Sequence, residues 1–120
     1  MPDMTGSVSF DFTNNNGQYT IGSGEYEFCT SWSECGEDTI YGYSDNVKMI
    51  GYASGISEIP KNNNFLEFDF TSKIRQVTIG EVLLWLNENG KIAATLITNI
   101  AVKSRGAKEN ILAFDYKIYD

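Results

Sequence analysis

The chain has 120 residues, 42% of them hydrophobic and 13% aromatic, with a formal net charge of −7 and no histidine. This is the length of one domain, able to bury roughly two-thirds of its unfolded surface, and its apolar content excludes a disordered body. The missing histidine excludes Ser-His-Asp and Cys-His nucleophile schemes and metal-bound water held by imidazole.

The charge is uneven. Residues 1–60 hold nine acids and one base, whereas residues 61–120 hold seven acids and eight bases. An acidic domain repels phosphate backbones at long range, which disfavours nucleic acid as a partner. No apolar run is long enough to span a bilayer, so no membrane association is expected. The first six residues carry no charged-then-apolar leader, so the expected compartment is the cytoplasm.

In chain order, Ser7 to Phe12 alternates polar and apolar residues and reads as a half-buried strand with Val8, Phe10 and Phe12 inward. Asn14 to Gly17 is turn chemistry, and Gln18 to Ile21 a short partner strand. Glu25 to Trp32 alternates again, with Tyr26, Phe28, Thr30 and Trp32 on one face and Glu25, Glu27, Cys29 and Ser31 on the other. A polar loop over residues 33–38 leads to a strand at Thr39 to Tyr43, and Val47 to Ala53 reads as another. Residues 54–64, with Gly55, Pro60 and three asparagines, read mainly as loop. Phe65 to Phe70 reads as a strand with a bulge or bend near Glu67, because its three phenylalanines do not share one face. Thr71 to Ile79 is ambiguous.

Two apolar runs then flank Asn89-Gly90, a dipeptide that readily supplies the positive φ angles of a tight hairpin. Val82 to Leu86 is apolar on both faces, which places this hairpin near the centre of a sheet and Trp85 in the core. Residues 101–110 form a basic connection, and Ile111 to Tyr119 closes the chain with Leu112, Phe114, Tyr116 and Ile118 on one face. The expected class is all-β: a single domain over residues 1–120, an antiparallel β-sandwich or small β-barrel of about eight or nine short strands.

Chemistry-bearing residues are few. Cys29 and Cys35 lie six apart. A disulfide across a turn is geometrically open to them, but without a leader reduced thiols are expected. No metal or other cofactor is expected: zinc would need ligands beyond two cysteines, Gly22-Ser23-Gly24 has no lysine or helix behind it, and Asp45-Asn46 lacks the later acids of a calcium loop. Glu25 and Glu27 would sit about 6–7 Å apart on one strand face, a spacing open to carboxylate-based glycoside hydrolysis, although acids so spaced are far more often a plain solvated strand face. Tyr41 and Tyr43 share a face, and Trp32 across the connecting loop, with Ser33 beside it, would complete a stacking pocket for a planar or sugar-like ligand; the plainer expectation is that these rings are core. Lys73 and Arg75 point the same way on an extended chain and, with Lys103, Arg105 and Lys108, form the one basic patch, suited to phosphate or an acidic partner.

The segments Phe28-Cys29-Thr30-Ser31-Trp32-Ser33, Ile40-Tyr41-Gly42-Tyr43, Asp69-Phe70-Thr71-Ser72-Lys73-Ile74-Arg75 and Gly80 to Ala94 resemble a small uncharacterised bacterial β domain. Such domains occur alone or in front of effector modules, TIR-type ones included, in proteins suspected of roles in defence or stress. The resemblance implies an accessory or sensing role and brings no catalytic residues. Gly80 to Asn87 with Asn89 to Ala94 is also similar to an element of PUA-like and EVE-like barrels, which implies a pocket for a nucleobase, often a modified one. The function expected is a non-catalytic binding or regulatory module acting through a protein partner or a small ligand. The alternatives are a nucleobase reader using Trp32, Tyr41 and Tyr43 for stacking and Lys73 or Arg75 for phosphate, and a carboxylate glycosidase. Edge strands make a homodimer plausible.

Overall fold

A computed structural model describes residues 5–13, 17–35, 38–44, 47–53, 59, 73–102, 106, 108 and 110–119. The strand expected at Phe65 to Phe70 and the basic residues Lys103 and Arg105 lie outside them. The described chain forms nine strands: β1 (Thr5–Phe10), β2 (Gln18–Ile21), β3 (Phe28–Glu34), β4 (Thr39–Tyr43), β5 (Met49–Ala53), β6 (Ile74–Thr78), β7 (Val82–Leu86), β8 (Ile92–Ala101) and β9 (Ile111–Tyr119). No described segment is α-helical, and none is a helix long and apolar enough to cross a membrane.

The strands build two sheets, one of five in the order β1-β9-β8-β7-β5 and one of four in the order β2-β3-β4-β6. Every pairing is antiparallel. The sheets do not close on each other, so of the two expected architectures the chain adopts the sandwich.

Strand alternation sets what lies between the sheets. From the five-stranded sheet come Val8, Ile50, Leu83, Trp85, Ala93, Ile97, Leu112, Phe114 and Ile118; from the other come Ile21, Phe28, Trp32, Ile40 and Val77. The two tryptophans meet at the centre, ring centroids 5.0 Å apart at 64°, and Phe114 lies 5.4 Å from Trp32, contacts of the tilted and edge-to-face kind that aromatic quadrupoles favour. Gly42, opposite Trp32 on β4, leaves the room: a Cβ there would stand 2.4 Å from Leu83 Cδ2.

The long strand β8 keeps an apolar inner face by means of a bulge between Ile97 and Asn99. The extra residue resets the alternation, so Ile97 and Ile100, three apart, both face inward while Thr98 and Asn99 are exposed. The two-faced apolar run of β7 is explained as well. Leu83 and Trp85 face the core, whereas Val82 and Leu84 join Ala94 and Tyr119 in a second cluster on the outer side, with Ile59, Ile92 and Leu96 packed against it.

Two local expectations are corrected. The strand read over Glu25 to Trp32 starts only at Phe28, because Gly24–Tyr26 forms a 3-10 turn. The β7–β8 hairpin is not a two-residue Asn-Gly turn. Asn87 accepts at its carbonyl from Gly90 N–H (3.2 Å) and donates its N–H to the Lys91 carbonyl (3.0 Å), with Gly90 at φ +77°. That is a turn followed by one left-handed residue and a bulge, the common longer hairpin connection.

Candidate functional site

With Trp32, Ile40 and Gly42 turned inward, alternation puts Ser33, Tyr41 and Tyr43 on the outer face of the four-stranded sheet. Ser33 pairs across the ladder with Tyr41, and its hydroxyl meets the Tyr43 hydroxyl diagonally at 2.5 Å. The two tyrosine rings are 6.3 Å apart and inclined at 49°. The neighbouring Cys35 side chain, first through hydrogen bonding and then through its charge, raises the Tyr41 hydroxyl above its ordinary value of 10.0. Strand β6 extends this face: Ile74 stands opposite Tyr43 and is 51% exposed, and Gln76 stands opposite Tyr41. Lys73 is exposed beside the Tyr43 end of β4, where its carbonyl accepts the Ser44 N–H at 2.9 Å.

The structure does not bring the other expected site residues to this face. Trp32 is 1% exposed in the core, its indole N–H bonded to Thr30 Oγ1 at 2.8 Å, and the thickness of the sheet separates it from the tyrosines. Arg75 has the parity of Val77 and pairs with Gly42, so it lies on the inner side of β6, partly buried. Glu25 and Glu27 are not two acids on one strand face. The first sits in the 3-10 turn and the second caps it, and both are exposed. Cys29 and Cys35 are free thiols. Cys29 is on β3 and Cys35 directly follows that strand, so about 20 Å of extended chain separates them, far beyond disulfide reach.

Sequence reasoning missed a cleft on the opposite sheet. At the β1–β9 edge, a space of about 430 Å³ is lined by Thr5, Gly6, Ser7, Ile59, Asp115, Tyr116 and Lys117. Ladder register places Thr5 opposite Lys117 and Ser7 opposite Asp115 on the outer face, and Ser7 donates to Asp115 Oδ1 at 2.7 Å. The signal was present as an acid and a base two residues apart on β9, on the side away from its apolar stripe. Among the described residues no group of three or more His, Cys, Asp or Glu side chains is arranged to hold a metal ion.

No family model, curated protein or solved structure matches this chain.

Proposed function

We propose that this chain is a non-catalytic binding module that presents the outer face of its four-stranded sheet to a protein partner. The observation that carries this reading is the Tyr41–Tyr43 pair, tied to Ser33 and bordered by half-exposed Ile74. Tyrosines offer broad, rigid, amphipathic contact area at small entropic cost, and an aliphatic neighbour supplies the desolvated centre that protein interfaces favour. A sheet face of this kind suits a protein surface better than an enclosed small ligand. An accessory role in bacterial defence or stress, in the cytoplasm, belongs to the same reading and rests on the resemblance described above. The nucleobase reading loses its Trp32 platform to the core, and the two tyrosine rings are too inclined to each other to sandwich a planar base between them.

The test uses the full chain with a photo-crosslinking residue in place of Gln76. The partner captured is purified and titrated against the wild type and against Tyr41→Ser, Tyr43→Ser and Ile74→Asp. Each variant is expected to fold normally and to weaken the complex by roughly tenfold or more, the scale of an interface anchor. Unchanged affinity in all three variants would sink the proposal.

A further inference from the structure

We propose that the cleft at the β1–β9 edge is a second binding site, for a small zwitterion with an apolar side chain: a free α-amino acid of the aliphatic or aromatic class. Three features of the cleft select this chemistry. The first is charge. Among the described residues the lining carries one carboxylate, Asp115, and one ammonium, Lys117, two residues apart on the same strand face and therefore about 6–7 Å apart along the backbone. A phosphate or other anion meets the Asp115 carboxylate, and a simple cation meets the Lys117 ammonium. A molecule bearing both charges close together complements the two poles, adding a charge-assisted hydrogen bond at each, the Lys117 ammonium lying over the Tyr119 ring, 5.2 Å from its centroid.

The second feature is the orientation of Asp115. Ser7, on the edge strand β1, donates to one of its oxygens, Oδ1, at 2.7 Å, which fixes the carboxylate. Thr5, opposite Lys117, adds a hydroxyl at the other pole. The third is the apolar wall. Ile59 lines the cleft and also packs against the outer cluster of Val82, Leu84, Ala94 and Tyr119. The polar quartet on β1 and β9 thus grades into an apolar surface, as a ligand with a charged head and an apolar body requires. The Tyr116 ring lies over Gly6 and packs on the core. The volume, about 430 Å³, is within the ordinary range for small-ligand sites.

The experiment titrates the full-length chain with L-leucine and L-phenylalanine, followed by calorimetry and by backbone amide NMR shifts. The same titration is run with N-acetyl-leucine, which has no ammonium, and leucinamide, which has no carboxylate. Saturable binding is expected, with shifts confined to residues around Thr5, Ser7, Asp115 and Lys117. Either blocked analogue is expected to bind at least about tenfold more weakly, as is L-leucine to Asp115→Asn, the loss of one hydrogen bond to a charged group. Because the analogues are compared on the wild type, the result does not depend on a variant folding. No saturation by either amino acid at about 10 mM, a limit near 3 kcal/mol of binding free energy, would overturn the proposal. So would equal binding of the blocked analogues, or shifts centred elsewhere.

Discussion

Each sheet buries one tryptophan, and both solve the same problem in the same way. An indole N–H taken from water without a partner is costly. Trp85 Nε1 donates to Thr95 Oγ1 at 3.0 Å, and Thr95 donates to the carbonyl of its ladder partner Leu83 at 3.0 Å. Trp32 Nε1 donates to Thr30 Oγ1 at 2.8 Å, and Thr30 donates to the carbonyl of its ladder partner Tyr19 at 2.7 Å. The threonine hydroxyl is both acceptor and donor, which its chemistry allows and a valine of the same shape does not. Thr95→Val is therefore expected to cost about 1–3 kcal/mol, the range for an unsatisfied buried group, and Thr95→Ser distinctly less; urea unfolding of the two variants checks this, and equal losses would show that the hydroxyl carries nothing. A second residue-scale expectation concerns Tyr119, buried in the outer cluster, whose hydroxyl burial pushes up from 10.0 to about 12. The folded state holds that proton more tightly than the unfolded chain, so the stabilisation is complete below pH 10 and is lost as pH rises from 10 to about 12. Between pH 9 and 12 the wild type should lose more thermal stability than Tyr119→Phe, and parallel loss in both would refute the assignment.

Among the elements, the β7–β8 turn reaches furthest. Asn87 is 5% exposed and uses its whole side chain. Its Oδ1 accepts from the N–H groups of Asn89 and Lys91, and its Nδ2 donates to the carbonyls of Glu25 and Glu27 at 2.9 and 3.1 Å. One side chain closes the hairpin and fastens the 3-10 turn to it. Asn87→Ala should cost about 2–3 kcal/mol through the orphaned polar groups. Asn87→Asp keeps the acceptors and loses the donors, so it should keep the hairpin amides protected while those near Glu25 and Glu27 exchange faster. Hydrogen exchange separates the two outcomes. This tie also explains why the strand read over Glu25 to Trp32 was too long: the residue that holds the turn is some sixty positions away and leaves no local trace. The bounds of β2, β4 and β9 were legible because each has a clean alternation or a flanking breaker. Strand β6 was not, because Ile74 and Gln76 are exposed while Arg75 takes the inner side, the reverse of a regular pattern. The parity of Tyr41 and Tyr43 was legible, but which side faced the core was not. Two aromatics argued for the inside, yet Ile40 and Gly42 occupy it, because Leu83 and the tryptophans need the space a glycine leaves.

On the scale of the whole molecule, the two candidate sites occupy opposite outer faces of one sandwich, about the most independent arrangement the architecture allows. The module has room to take a partner on one sheet and a small molecule on the other without competition. The register of β1 with β9 has a different consequence, in time rather than in space. Ser7 and Asp115 are 108 residues apart in the chain and neighbours in the ladder. During synthesis β1 has no ladder partner until β9 has left the ribosome, and until then the apolar stripe of β8, the middle strand of its sheet, is open on the β9 side. Long-range closure of this kind is slow, and such unpaired edges invite association. Nascent chains stalled before Ile111 should therefore remain protease-sensitive and prone to association, and should become resistant only once Tyr119 is free.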